Sequence, residues 1–429
     1  MVAEKEFSFD ALSSSARRHI RLFQAHQFLD RFAMGLTVAV VALALIERDM
    51  DRFHISILFG IYSLTTLALE LPFGGLAYEI GRKPVFLAAV VASVVSLVLF
   101  ISTSNFYILA VSFAFIGLGR ALRSGTLGAW FVEGFKLAAS HVDVQPSLAK
   151  AQSANALGLA CGAVCGGLLP DLFGTTAERF GFSIYDVSYL VSLAVMLGVF
   201  VFTLFLIDET PRPIATSALK QGFAAVPSAI KDVTLLAFTH PTLSLLLVAL
   251  AFFLAATNPV EVLWPTFAKP MAEGNYSNSI IGLLTAIYFF SIAFGAWLSP
   301  NISRIFNRRQ AVTLFAAFSC ITGIQFLLAL QTGLVSFAII LVLFSVVLGV
   351  VETPASSILH RCVEDHQRST MLSLRPLVQQ LGATIGLVLA RVLAEIYSTP
   401  TAWILIIGFL VVAAVFRFIL SKRIDAGEV

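Results

Sequence analysis

The sequence predicts an all-α membrane protein with twelve transmembrane helices in two pseudo-symmetric six-helix bundles, on three observations. First, the 429 residues are 58% hydrophobic and only 12% charged, with a mean hydropathy of +0.90. A water-soluble core cannot hold that share of apolar groups. Second, apolar runs of roughly 18 to 25 residues recur along nearly the whole chain, each enough for an α-helix to cross about 30 Å of hydrocarbon. The period-two alternation of a membrane barrel is missing, so helices are expected. Third, the longest internal polar segment, Asp208 to His240, divides six runs from six.

In chain order the runs predict spans at 22–46, 54–78, 84–104, 106–131, 150–170, 184–207, 241–267, 278–299, 310–330, 334–358, 370–394 and 400–420. These give an N-terminal bundle over 1–207, a cytoplasmic linker over 208–240 and a C-terminal bundle over 241–429. Twelve spans put both termini on one side. Arg17, Arg18, Arg82, Lys83, Arg308, Arg309, Lys422 and Arg423 lie in segments of that side, against Arg48, Arg52, Arg179 and Lys269 on the other. Positive loops stay inside, so both termini are expected in the cytoplasm and the chain in the inner or plasma membrane. The first twenty residues lack a short apolar core with a cleavage site, and no signal peptide is expected. The linker alternates charged and apolar residues, among them Lys220, Phe223, Ile230 and Leu235. An amphipathic helix on the inner leaflet and a flexible linker both fit that pattern.

The net charge of +3 follows the loop bias and signals no nucleic-acid face. Cys161, Cys165, Cys320 and Cys362 fit neither a disulfide framework nor a metal site, and Cys161 and Cys165 sit one helical turn apart as small packing residues. The scattered histidines and the missing phosphate loop leave no enzyme, ATPase or cofactor reading.

At one common offset Ile61-Tyr62 falls on Ile287-Tyr288, and Arg82-Lys83 falls on Arg308-Arg309. Duplicated halves of this kind imply a binding cleft between them.

The segment Leu71 to Leu87, LPFGGLAYEIGRKPVFL, carries the densest punctuation in the apolar sequence. Gly74, Leu76, Ala77, Gly81, Arg82 and Lys83 sit in the pattern G-x-L-A-D-R-x-G-R-K, and on these residues the chain resembles the major facilitator superfamily. The resemblance implies a stiff cytoplasmic loop and gate between the second and third spans. Tyr78 replaces the pattern's Asp, and Glu79 stands where a basic residue is usual. In the fifth span GLACGAVCGG places Gly158, Gly162, Gly166 and Gly167 in the spacing G-x-x-x-G-P-x-x-G-G, with Ala163 for the Pro. That face is similar to the bacterial drug/proton antiporter branch, and generic close helix packing gives the same spacing. LELPFG with Glu70 and Pro72, Ser124 to Lys136, and His366 to Leu374 also resemble that branch. Asp208-Glu209-Thr-Pro-Arg is similar to the P-E-S-P-R of sugar porters, which keeps an uptake permease as the alternative.

Charges inside spans are costly unless paired or hydrated, so they nominate the transport pathway. Asp30 follows nine residues after Arg21, about 14 Å into the layer. It is a candidate for proton or cationic-substrate handling, and an ion pair with a neighbour such as Arg31 is the alternative. Arg120 and Arg123 lie one turn apart in the fourth span, with Arg120 the deeper and the expected partner of Asp30 across the first and fourth spans. Glu261 follows Pro259 in the seventh span, and faces either the cavity or the outer surface. Glu352, before Thr353-Pro354, and Arg375 in the eleventh span are read as a cytoplasmic gate or a static ion pair. The expected function is proton-coupled efflux of a small organic solute by a monomer in the bilayer, without metal or cofactor. A membrane sensor that keeps the same fold is the non-transporting alternative.

Overall fold

A computed structural model describes residues 13–74, 77, 80–124, 126–138, 145–209, 241–272, 274, 277–307, 309–361 and 368–425. Those residues form α1 Ser14–Val38, α2 Val41–Glu47, α3 Arg52–Gly74, α4 Arg82–Ser102, α5 Phe106–Arg123, α6 Thr126–Ala138, α7 Gln145–Arg179 and α8 Asp186–Leu206. The second half has α9 Pro241–Ala268, α10 Ser277–Ile305, α11 Gln310–Ala329, α12 Leu334–Arg361, α13 Arg368–Ile396, α14 Thr399–Leu405 and α15 Ile407–Asp425. Eleven segments of the described residues are long and apolar enough to cross a membrane. The twelfth is α13, 29 residues long, whose Arg375, Arg391 and Glu395 lower its hydropathy.

Three expected single helices are pairs. The first span breaks between Val38 and Val41, the fourth between Arg123 and Thr126, and the twelfth at Ile406. At the fourth, the break frees the Arg123 carbonyl, which accepts a hydrogen bond from Thr126 Oγ1 at 2.9 Å. A side-chain hydroxyl thereby replaces a lost backbone donor. The fifth span is longer than expected, 35 residues in α7, or about 52 Å of helix. Prolines inside α3, α7, α9, α10 and α12 do not end those helices, and at Pro354 the freed Val350 carbonyl accepts from Ser299 Oγ of α10 at 2.9 Å.

The two halves repeat one packing scheme. In the first, α1 packs on α7 and α8, α4 on α5 and α8, and α3 on α5. In the second, α9 packs on α13 and α15, α11 on α12 and α15, and α10 on α12. Span for span these pairs correspond. The halves meet through α7 with α10 and α3 with α13, which again exchange under the repeat.

Glycines set the closest approaches. A Cβ on Gly158, Gly162 or Gly166 would come within 2.2–2.3 Å of the carbonyl oxygens of Phe28, Phe32 and Leu36 on α1. Gly382 and Gly386 press on Ala251 and Ala255 of α9 in the same way. Gly167 points elsewhere. It faces Gly282 of α10, with a would-be Cβ 2.7 Å from the Gly282 Cα. The predicted glycine face is therefore two faces, one inside the first half and one between the halves. Cys161 and Cys165 lie free on the same helix, while Cys362 lies outside the described residues.

Candidate functional site

The first charged cluster is built inside the first half, where α1, α4, α5 and α8 meet. Asp30 is 5% exposed, among Phe86, Met196 and the apolar residues around them. Arg123 donates from Nε to Asp30 Oδ1 at 3.2 Å and from Nη1 to Ser93 Oγ at 2.8 Å, and its Nη2 lies 3.7 Å from Met196 Sδ. The guanidinium also lies over the Phe86 ring. The expected partner, Arg120, is not the one bound. Arg123 lies one turn further along α5, on the face that packs into the first half, and takes the acid.

His26, one turn before Asp30, completes the cluster and was not singled out from the sequence, although HQFLD places it on the same helical face. It is 1% exposed, with Nε2 3.0 Å from Thr203 Oγ1. The Thr203 hydroxyl donates its own proton to the Val199 carbonyl at 2.7 Å. Its oxygen must then accept, which assigns the neutral imidazole proton to Nε2. Nδ1 is left buried and without a hydrogen-bond partner, with a free lone pair in the field of Asp30 and Arg123.

Arg120 faces the other way. Nη1 donates to the Tyr62 hydroxyl and the guanidinium lies 5.8 Å from that ring centroid. Its charge couples to Glu70 of α3 and to Glu261 of α9, in the opposite half. Glu261 is exposed well past the middle of α9, and its charge reaches both Arg120 and Tyr288. An ionised side chain turned to hydrocarbon inside a span is costly unless paired or hydrated. Arg120 and Glu261 each lie instead in the field of the other across the halves.

Glu352 and Arg375 form the expected pair within the second half. Arg375 is 8% exposed and donates to Glu352 Oε2 at 2.6 Å and to Ser356 Oγ at 2.7 Å.

The loop between α3 and α4 is tied to two other elements that the sequence had singled out separately. Gly81 has φ 101°, a conformation that glycine adopts without a Cβ clash. Glu209, from the segment after α8, accepts from the backbone N–H of Arg82 at 2.9 Å and of Lys83 at 2.7 Å. Arg82 pairs with Glu133 of α6, Lys83 Nζ donates to the Leu204 carbonyl at 2.8 Å, and Trp130 donates to the Asp208 carbonyl at 2.9 Å. A carboxylate on the first N–H groups of a helix opposes the positive end of its dipole. Glu209→Gln is expected to lower stability by about 1 kcal/mol, read as a depressed unfolding midpoint of the purified protein. An unchanged midpoint would show that this cap contributes nothing. Gly74 closes α3, whereas Tyr78, Glu79 and residues 210–240 lie outside the described residues.

The side away from the chain termini is clasped between the halves. Asp171 of α7 accepts from Asn278 Nδ2 at 2.7 Å and from the Ser279 N–H and hydroxyl, each at 2.6 Å. Tyr185 donates to Asn278 Oδ1 at 3.0 Å, and Lys269 reaches both. Arg391 of α13 bonds Asp51 at 3.4 Å and Glu395, and Gln380 of α13 bonds Ser63 of α3 nearer mid-depth. Behind this clasp Arg48 and Asp186, each side chain 4% exposed, pair inside the first half. None of these acids stands out in the sequence, because each lies at or near the end of a predicted span, where an acid looks like solvated surface.

Asp51, in the loop before α3, is held below the ordinary carboxylate range. Partial burial opposes ionisation, but the His54 backbone N–H and the Arg391 charge outweigh it. A depressed carboxyl keeps its contribution above the ordinary value and loses it only as pH falls through the depressed one. Lowering pH from about 7.5 to about 5 is therefore expected to leave the Asp51 to Arg391 bond closed. Constant thiol labelling of a cysteine placed at Ser398, in the adjacent loop, checks this; a rise on acidification would contradict it.

The comparisons agree with this architecture. The sequence matches the Major Facilitator Superfamily over residues 27–269 and 259–428. The Bacillus subtilis (strain 168) protein YwtG, named for metabolite transport, is 25% identical over 142 residues, which span 32% of this chain and 29% of that protein. Among solved structures, the nucleoside transporter NupG superposes with a TM-score of 0.74 at 12% identity, covering 94% of this chain and 98% of its own. A bacterial homologue of the human lysosomal transporter Spinster, in an inward-facing and occupied conformation, gives 0.69 at 13% identity, covering 94% and 96%. At such identities these likenesses speak for the fold alone. Two matched segments that together run from Gln27 to Glu428, over two halves with one packing scheme, identify this chain as a membrane transporter of the major facilitator superfamily.

Proposed function

We propose that the chain is a secondary active transporter that exports a small organic solute in exchange for protons, by rocking the bundles before and after residues 208–240 against each other. The carrying observation is the buried Asp30, Arg123 and His26 cluster. A carboxylate and a free imidazole nitrogen one turn apart, with one guanidinium between Asp30 and Ser93, give a proton two acceptors inside a buried wall. Protonating Asp30 releases Arg123 from its ion pair, which changes how α5 sits on α1 and α4. The change reaches the cavity because Arg120 stands one turn away on α5.

The clasp from Asp171 to Ser279 and from Asp51 to Arg391 supports reading this conformer as closed on the side away from the termini. With the termini in the cytoplasm of a cell membrane, it is the inward-facing state of a monomer. Export is supported by the glycine pattern of α7. Uptake of a metabolite is the second reading, favoured by Glu209 on the α4 N-terminus in a segment similar to that of sugar porters, and by the name of YwtG.

Inverted membrane vesicles given a panel of amphipathic dyes in the outer bath test both. Proton-driven dye movement that stops when an ionophore collapses the pH gradient is the expected result. Movement indifferent to the gradient would remove the coupling, and gradient-driven movement in the opposite direction would replace export by uptake.

A further inference from the structure

Two charges inside the spans take no part in the ion pairs described above. Arg120 on α5 is exposed and binds a phenol, not a carboxylate. Glu261 on α9 is exposed, and among the described residues no hydrogen bond or ion pair reaches its carboxylate. They belong to opposite halves and lie within each other's field. Each has a tyrosine from the second span of one half: Tyr62 is hydrogen-bonded to Arg120, and Tyr288 lies in the field of Glu261 with its ring 6.4 Å from that of Trp264, one turn further along α9. These are the two tyrosines that the internal repeat superposes.

The hydrogen-bonding state of those tyrosines points to a ligand. Arg120 donates to the Tyr62 oxygen, which leaves the Tyr62 proton free to donate onward. Tyr288 is 2% exposed, and its hydroxyl has no hydrogen-bond partner. An unpaired buried hydroxyl is costly, and a bound polar group relieves it. Glu70 also feels Arg120, but it accepts from Ser124 Oγ at 3.1 Å within its own half and lies nearer the termini side.

We propose that the transported solute is a zwitterion, with an anionic group held by Arg120 and the Tyr62 hydroxyl in the first half and an ammonium group held by Glu261 and the Tyr288 oxygen in the second. The proposal rests on the transporter reading and adds the substrate class. A guanidinium and a phenolic hydroxyl suit a carboxylate, since both donate and the planar fork takes two oxygens. A carboxylate and a phenol oxygen suit an ammonium, whose three protons need acceptors. A solute of single charge leaves one of the two groups uncompensated. Only a zwitterion satisfies both and bridges the halves, so its binding favours the occluded state through contacts that no open state makes.

The purified full-length protein tests this by thermal shift with matched probes. The probes are ω-amino acids from 4-aminobutyrate to 8-aminooctanoate, with hexanoate and hexylamine as the singly charged analogues of 6-aminohexanoate. At least one ω-amino acid is expected to raise the melting temperature where both analogues at equal concentration do not, with an optimum in chain length set by the gap between the charges. Arg120→Gln and Glu261→Gln should each weaken that probe by about 30-fold or more, while Arg120→Lys and Glu261→Asp retain part of the binding. The comparison of probe lengths needs only the wild-type protein, so it holds even if a variant fails to fold. The idea is overturned if no ω-amino acid exceeds both analogues, or if folded Gln variants bind the best probe unchanged. Gradient-driven dye movement in a protein without zwitterion preference would sink this inference alone. Zwitterion binding in a protein without gradient-driven movement would sink the proton coupling alone.

Discussion

Asp30→Asn is expected to reduce gradient-driven transport about 100-fold, equivalent to about 2.7 kcal/mol of lost coupling, while solute counterflow without a gradient persists. Asparagine keeps the volume and one acceptor oxygen for Arg123 Nε, so the buried packing around Phe86 and Met196 survives. What disappears is the ionisable group. Arg123 still donates to Ser93 Oγ at 2.8 Å and keeps the Phe86 face, which limits the penalty of a buried cation without its acid. His26→Gln separates the roles further. Its Nε2 bond to Thr203 can be replaced by an amide N–H, but the free Nδ1 lone pair cannot. If His26 carries the proton alone, His26→Gln reproduces the Asp30→Asn loss and Asp30→Asn itself loses little. Wild-type gradient-driven rates in Asp30→Asn would remove the cluster from the coupling mechanism.

Gly167→Leu is expected to abolish transport in a protein that still folds, and Gly162→Leu is expected to prevent folding. The difference lies in what each glycine meets. Gly162 sits against the Phe32 carbonyl and Gly35 inside the first half, a contact every conformer needs. Gly167 sits against Gly282 and the Asn278 carbonyl across the halves, a contact that the proposed rocking breaks when the side away from the termini opens. A leucine there holds α7 off α10 and breaks the bonds of Asp171 to Asn278 and Ser279. Overpacking in a tight contact costs about 1–3 kcal/mol or more, enough to shift a two-state balance about 5- to 150-fold. Thiol labelling of a cysteine at Ser279 in a cysteine-free background is the readout, and labelling should rise sharply in Gly167→Leu. Normal transport with unchanged labelling would show that α7 and α10 do not separate during the cycle.

The sequence by itself determined the material of the fold. Its apolar share requires a bilayer, and its run lengths require helices. The polar segment after Leu206 divides six apolar runs from six, and the shared register of Ile61-Tyr62 with Ile287-Tyr288 fits two related halves. Those features were legible because they are properties of segments, set by hydropathy and by the 1.5 Å rise of a helix. The charged candidates were legible for a similar reason: an ionisable residue inside an apolar run is costly wherever it ends up.

Which charge meets which was decided only by tertiary structure. Arg120 and Arg123 differ by less than one turn of α5. That rotation sends one into a buried pair with Asp30 and the other toward Glu261 in the opposite half. The glycine run of α7 likewise reads as one face, yet the step from Gly166 to Gly167 turns about 100° from α1 to α10. Glu209, Glu133 and Arg82 come from three separate stretches of chain and meet only because α4, α6 and the end of α8 converge on one side. Hydropathy fixes how far along a helix a residue lies, but the azimuth of each helix is set by the neighbours it packs against. A function carried by pairs of charges between helices depends on that azimuth.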